Sequence, residues 1–83
     1  MSQNKTSKKF VYLISPNKIK NEKFYIDLAL VLSSGKVSFF QLRIKKETYL
    51  NKLIIGKKIK KICKKYKVKF LINDDPLLAK KLN

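Results

Sequence analysis

Three short runs rich in aromatic and β-branched residues, at positions 10–14, 37–44 and 68–72, alternate with two longer segments of helical composition, and a third such segment begins after the last run. This alternation limits the possible folds more than any other feature of the chain. Apolar runs of this length read as strands buried on both faces. Joining parallel strands needs a crossover long enough to hold a helix, and each intervening segment has that length. The expected class is therefore α/β, with parallel strands under covering helices.

The punctuation between runs supports this order. Ser15-Pro16-Asn17 stops the first strand. Asn21 is placed to cap a helix over 22–34, and Gly35 suits the left-handed position that closes one. The apolar residues of that helix surround it, so it is expected to be well covered. Over 48–66, Ile55, Ile59, Ile62, Cys63 and Tyr66 fall at i, i+4, i+7, i+8 and i+11, one apolar stripe at 100° per residue. Lys57, Lys58, Lys61, Lys64 and Lys65 take the other side. Leu50, Leu53 and Ile54 lie off the stripe, so the first turns are expected to pack differently, and Gly56 weakens the middle. Asp75-Pro76 has the form of a cap followed by proline at the first helical position, and Leu77, Leu78 and Leu82 continue it as a helix.

Composition narrows the chemistry. At 83 residues the chain holds one small domain and no large enzyme core. There is no His, which excludes His-based nucleophilic catalysis and His-ligated metal sites. The single cysteine, Cys63, cannot form an internal disulfide; it belongs to the apolar stripe and reads as packing. Residues 1–9 form a polar basic leader, and neither 10–14 nor 24–32 is long enough for a signal-peptide core or a membrane span. A cytoplasmic protein with no membrane association is expected. Lys and Arg number 21 against 5 Asp and Glu, giving a formal charge of +16. Such a balance calls for anionic partners or reflects a lysine-biased coding composition.

Two polar clusters are candidates for chemistry. Gln41, Arg43 and Lys45 are spaced at i, i+2 and i+4, so in a strand they leave one face near its C-terminal end, while Leu42 and Ile44 face the other way. An amide, a guanidinium and an ammonium together resemble a phosphate-binding mouth. The plainer alternative is a strand running out into solvent. Asn73 and Asp74 end the third strand; they suit a substrate amide contact and a hard cation, since Mg²⁺ takes few carboxylates plus substrate phosphate oxygens. The structural alternative is that Asp74 and Asp75 only cap the next helix. Both clusters stand at C-terminal strand ends, where parallel α/β sheets and barrels build their ligand sites.

These residues also carry a family resemblance. Val11-Tyr12-Leu13-Ile14, Gln41-Leu42-Arg43-Ile44-Lys45, and Leu71-Ile72-Asn73-Asp74 followed by Leu78-Ala79 together resemble the opening of thiamine phosphate synthase and its TenI-like, tautomerase-like relatives. The resemblance covers residues 10–83 and implies a TIM barrel, a transferase that joins a pyrimidine methyl pyrophosphate to a thiazole phosphate with Mg²⁺ and releases pyrophosphate. It implies that Gln41, Arg43, Lys45 and Asn73 contact the pyrimidine pyrophosphate and that Asp74 is a Mg²⁺ ligand. Ile44, Ser15-Pro16 and Asp75 depart from the commoner family residues without removing any of these contacts. A complete (β/α)₈ barrel needs roughly 250 residues. The expectation is thus a truncated barrel, its N-terminal three βα units, a partial domain over 10–83. Such a piece is not expected to catalyse alone; its partners would be phosphorylated small molecules and either a complementing C-terminal half or further copies of itself.

A small lysine-rich nucleic-acid-binding protein is the alternative. Eight of the thirteen residues at 57–69 are Lys, which suits phosphate contacts and steeply salt-dependent binding. Against it stand the single Arg, the placement of the aromatics inside strand-like runs, and the lack of a legible nucleic-acid motif. Nucleic acid is the less expected partner.

Overall fold

A computed structural model describes residues 11–82. The leader and Phe10, at the start of the first expected strand, lie outside them. Strands β1 (Tyr12–Ile14), β2 (Phe39–Leu42) and β3 (Lys69–Ile72) alternate with helices α1 (Lys23–Leu32), α2 (Tyr49–Lys65) and α3 (Pro76–Leu82). The sheet is parallel throughout, in the order β1-β2-β3, with Leu13 opposite Phe40 and Phe40 opposite Phe70. The α/β reading and the element order hold.

The strands are shorter than expected. The second was predicted over 37–44, yet pairing ends at Leu42. Beyond it the backbone N–H of Arg43 is taken by the Ser15 hydroxyl at 2.8 Å, and that of Lys45 by the Asn17 carbonyl at 3.1 Å. The chain therefore follows the loop after β1 instead of extending the ladder.

Strand alternation divides the sheet into two faces. Phe40 and Leu42 point toward the helices and are almost wholly buried, with Leu28 and Leu32 of α1 and Ile55, Ile59 and Cys63 of α2 in the same core. Tyr12, Ile14, Phe39, Gln41, Lys69 and Leu71 alternate onto the opposite face. No described element lies over that face: Tyr12 and Ile14 remain 54% and 50% exposed, and the Tyr12 ring stacks on Phe39 at 5.2 Å.

α1 starts after Glu22, which gives no side-chain cap; the expected cap residue, Asn21, contributes only its carbonyl, to the N–H of Phe24. Gly35 is left-handed at φ 76°, as its position after the helix predicts. The expectation that α1 is well covered fails among the described residues, because only Leu28 and Leu32 are buried while Ile26 and Leu30 are 63% and 67% exposed. One sheet face supplies a surface for one side of the helix only. Across α1 and α2, Lys58 pairs with Glu22 at 2.9 Å and sits 4.9 Å from the Tyr25 ring centre, and the Glu22 hydrogen bond pushes the Lys58 pKa up.

α2 is bounded as the sequence implies. The Thr48 hydroxyl accepts from the Asn51 N–H at 3.1 Å, an N-cap. At the other end Val68 N–H reaches the Cys63 carbonyl and Lys67 N–H the Lys64 carbonyl, a Schellman closure that puts Lys67 at φ 57°. Ile55, Ile59 and Cys63 of the stripe are buried; Leu50 and Ile54, off the stripe, are simply exposed. Gly56 has a role the sequence hides. A Cβ there would lie 2.5 Å from Leu82 Cδ1, so its missing side chain lets the end of α3 seat against α2. Lys60 adds a hydrogen bond to the Leu82 carbonyl.

Candidate functional site

Parallel register brings the C-terminal ends of β2 and β3 side by side, and with them both polar clusters. Gln41 and Leu71 are register partners, and the Asn73 N–H continues the ladder to the Leu42 carbonyl at 3.0 Å. Gln41 and Asn73 consequently share a face. The Gln41 amide donates to Asn73 Oδ1 at 3.1 Å, and Asn73 Nδ2 donates to Asp74 Oδ2 at 3.1 Å. This chain of two hydrogen bonds fixes which way the Asn73 amide points and holds one Asp74 oxygen.

A cavity of about 260 Å³ opens beside it, lined by Arg43, Lys45, Asn73 and Asp74 among others. Four of the five predicted site residues therefore line one cavity, and the fifth, Gln41, joins it through Asn73. Arg43 and Lys45 are exposed, and their side chains make no ion pair among the described residues. The exposure agrees with the alternative of a strand leaving the sheet, while the shared cavity agrees with an anion mouth. Both describe the same segment, since β2 ends before Arg43.

The two neighbouring carboxylates have separate tasks. Asp75 Oδ1 accepts from the Leu78 N–H at 3.1 Å, the helix cap expected from the Asp-Pro pair, and its Oδ2 lies 3.5 Å from Lys52 Nζ. Asp74 caps no helix among the described residues; it sits in the left-handed region at φ 52° and is exposed at the cavity. No group of three acidic or sulfur ligands occurs among the described residues. The donor set fits a Mg²⁺ ion that takes one carboxylate from the protein and further oxygens from a bound phosphate and water, not an ion caged by protein alone.

Two cations of this cavity escaped the sequence reading. Lys46 follows the strand and Lys52 lies in the first turns of α2. The Lys45-Lys46 pair was a visible signal for the first, whereas only the fold brings Lys52 to Asp75. With Arg43 and Lys45, they give four cationic side chains against two carboxylates, a rim that attracts anions. The lysines of the alternative reading stand elsewhere: Lys57, Lys61 and Lys64 are exposed along α2 and line a separate groove with Lys81. No helix among the described residues is long and apolar enough to cross a membrane.

Sequential parallel βα units thus make this an α/β protein that gathers an amide–carboxylate pair and basic residues at one strand-end rim. Residues 11–83 match the model of the family described as thiamine monophosphate synthase, and the chain belongs to that family. It is 83% identical over 83 residues, its whole length, to a thiamine-phosphate synthase of Pelagibacter ubique (strain HTCC1062), and covers 40% of that protein. It is 36% identical over 64 residues to a thiamine-phosphate synthase of Campylobacter jejuni subsp. jejuni serotype O:2, covering 77% of this chain and 30% of the relative. The chain thus spans less than half the length of these relatives. No solved structure gives a significant match.

Proposed function

We propose that this chain forms the pyrimidine-pyrophosphate side of a thiamine phosphate synthase active site. The observation that carries the reading is the Gln41–Asn73–Asp74 hydrogen-bonded chain at the rim that also bears Arg43 and Lys45. In the proposed reaction a pyrimidinylmethyl group passes to the ring nitrogen of a thiazole phosphate: a carbon–nitrogen bond forms and the carbon–oxygen bond to pyrophosphate breaks, releasing pyrophosphate. Negative charge grows on the departing pyrophosphate oxygens as that bond breaks. Arg43 and Lys45 meet this charge, and their advantage rises toward the transition state because the charge they face is larger there. Gln41 holds Asn73 so that its amide faces the substrate in one orientation. Asp74 is the residue that would hold Mg²⁺, which when bound supplies further positive charge to the phosphate oxygens.

The proposed architecture is the (β/α)₈ barrel, in which these units give three successive strands and further βα units close over Tyr12, Ile14, Phe39 and Leu71. The sequential order β1-β2-β3 and the uncovered sheet face support it. The thiazole phosphate contacts belong, in this reading, to units beyond the three described, so the chain binds pyrophosphate without turning over.

Nuclear magnetic resonance titration of the chain with inorganic pyrophosphate, with and without Mg²⁺, tests the site. Shift changes are expected at residues 41–46 and 73–75, larger with Mg²⁺, and lost in Arg43→Ala. Changes centred on the α2 lysines, or a response unaltered by Arg43→Ala, would overturn the assignment in favour of a nonspecific polyanion surface.

A further inference from the structure

Among the described residues three non-glycine positions adopt positive φ: Lys46, Lys67 and Asp74. Lys67 closes α2, and Asp74 turns the chain at the cavity. Lys46, at φ 56°, ends no helix, and its side chain makes no hydrogen bond or ion pair among the described residues. A left-handed lysine costs about 1–2 kcal/mol. Lys45 and Lys46 both line the cavity, next to Arg43. Lys52, the other cation the sequence reading missed, is held by Asp75 at 3.5 Å and is not free to meet a ligand. Lys46 is therefore the third cation of the rim, after Arg43 and Lys45, without an ion-pair partner.

We infer that Lys46 is a third anion-binding residue of this mouth, a contact for a phosphate group of a diphosphate ligand. The inference rests on the pyrophosphate-site reading above and adds a residue to it. A strained backbone at a ligand site is a recurrent arrangement when the fold over-determines it.

The test is calorimetric titration of inorganic pyrophosphate into the chain and four variants at low salt. Lys46→Gly removes the charge and also the left-handed penalty, so it should unfold at no lower temperature while binding pyrophosphate about three- to tenfold more weakly, the range for one exposed charge-assisted contact. Lys46→Asn, whose side chain also tolerates this backbone, should show the same loss, and Lys46→Arg should bind like the unaltered chain. The loss should shrink as salt is added. Lys46→Gly binding as tightly as the unaltered chain, while Arg43→Ala binds weakly, would refute the role of Lys46 and leave the site standing. If the unaltered chain does not bind pyrophosphate, or Arg43→Ala leaves binding intact, the underlying site reading fails and this inference with it.

Discussion

Cys63 gives the chain a built-in test of its core. The thiol lies on the buried stripe of α2, only 1% exposed, and burial pushes its pKa from 9.0 up to about 11. In the unfolded chain it ionises near 9, so between these values the unfolded state releases a proton that the folded state keeps. Raising pH therefore favours unfolding. The stabilisation is present below pH 9 and lost as pH rises toward 11, a loss on the order of 1 kcal/mol at pH 10 and of roughly 3 kcal/mol at most. That is a large share of the roughly 5 kcal/mol expected of so small a domain.

The lysines and tyrosines also titrate in this range, so the comparison must be differential. Urea unfolding of the unaltered chain and of Cys63→Ala between pH 7 and 10.5 provides it, since every other titrating group is common to both. The substitution lowers stability at neutral pH by about 1–2 kcal/mol through the lost buried volume, and the two curves should then converge by about 1 kcal/mol at pH 10. Parallel curves would refute the argument, because they would mean the thiol ionises equally easily in both states.

Two further substitutions probe local geometry. Lys67→Gly relieves the left-handed residue that closes α2 and should stabilise the chain by about 1 kcal/mol, raising Tm by about 4–8 °C in thermal unfolding followed by circular dichroism. Gly56→Ala gains about 1 kcal/mol of helix propensity but places a methyl against Leu82; a double-mutant cycle with Leu82→Ala should show the substitution more favourable by about 1 kcal/mol once Leu82 is removed, and simple additivity would contradict the close approach.

Periodicity carried much of the architecture because it reports burial, and burial built the sheet. The Gln41 and Asn73 contact was legible for the same reason: period two and parallel order together put both residues on one face at one end. What periodicity could not convey were partners distant in sequence. The second strand stops where a serine hydroxyl from the loop after β1 takes the Arg43 N–H, a bond between residues 28 apart. Gly56 read as a weakness until Leu82 proved to occupy the space above it. The outer side of α1 looked buried because its residues are apolar, yet composition does not say what lies beyond a helix. Lys46 lines the cavity from beyond the last paired residue of β2, Leu42, where a strand pattern no longer applies.

The three-stranded sheet leaves β1 and β3 with one unpaired backbone edge each among the described residues. Open ladders of this kind invite strand addition from a neighbouring copy. What opposes it is mutual repulsion between chains that each carry a formal charge of +16. Counter-ions weaken that repulsion within about 10 Å at 0.1 M salt, so the colloidal behaviour of the chain is tied to ionic strength: dispersed in dilute buffer, and increasingly self-templating as the solution becomes more concentrated in salt.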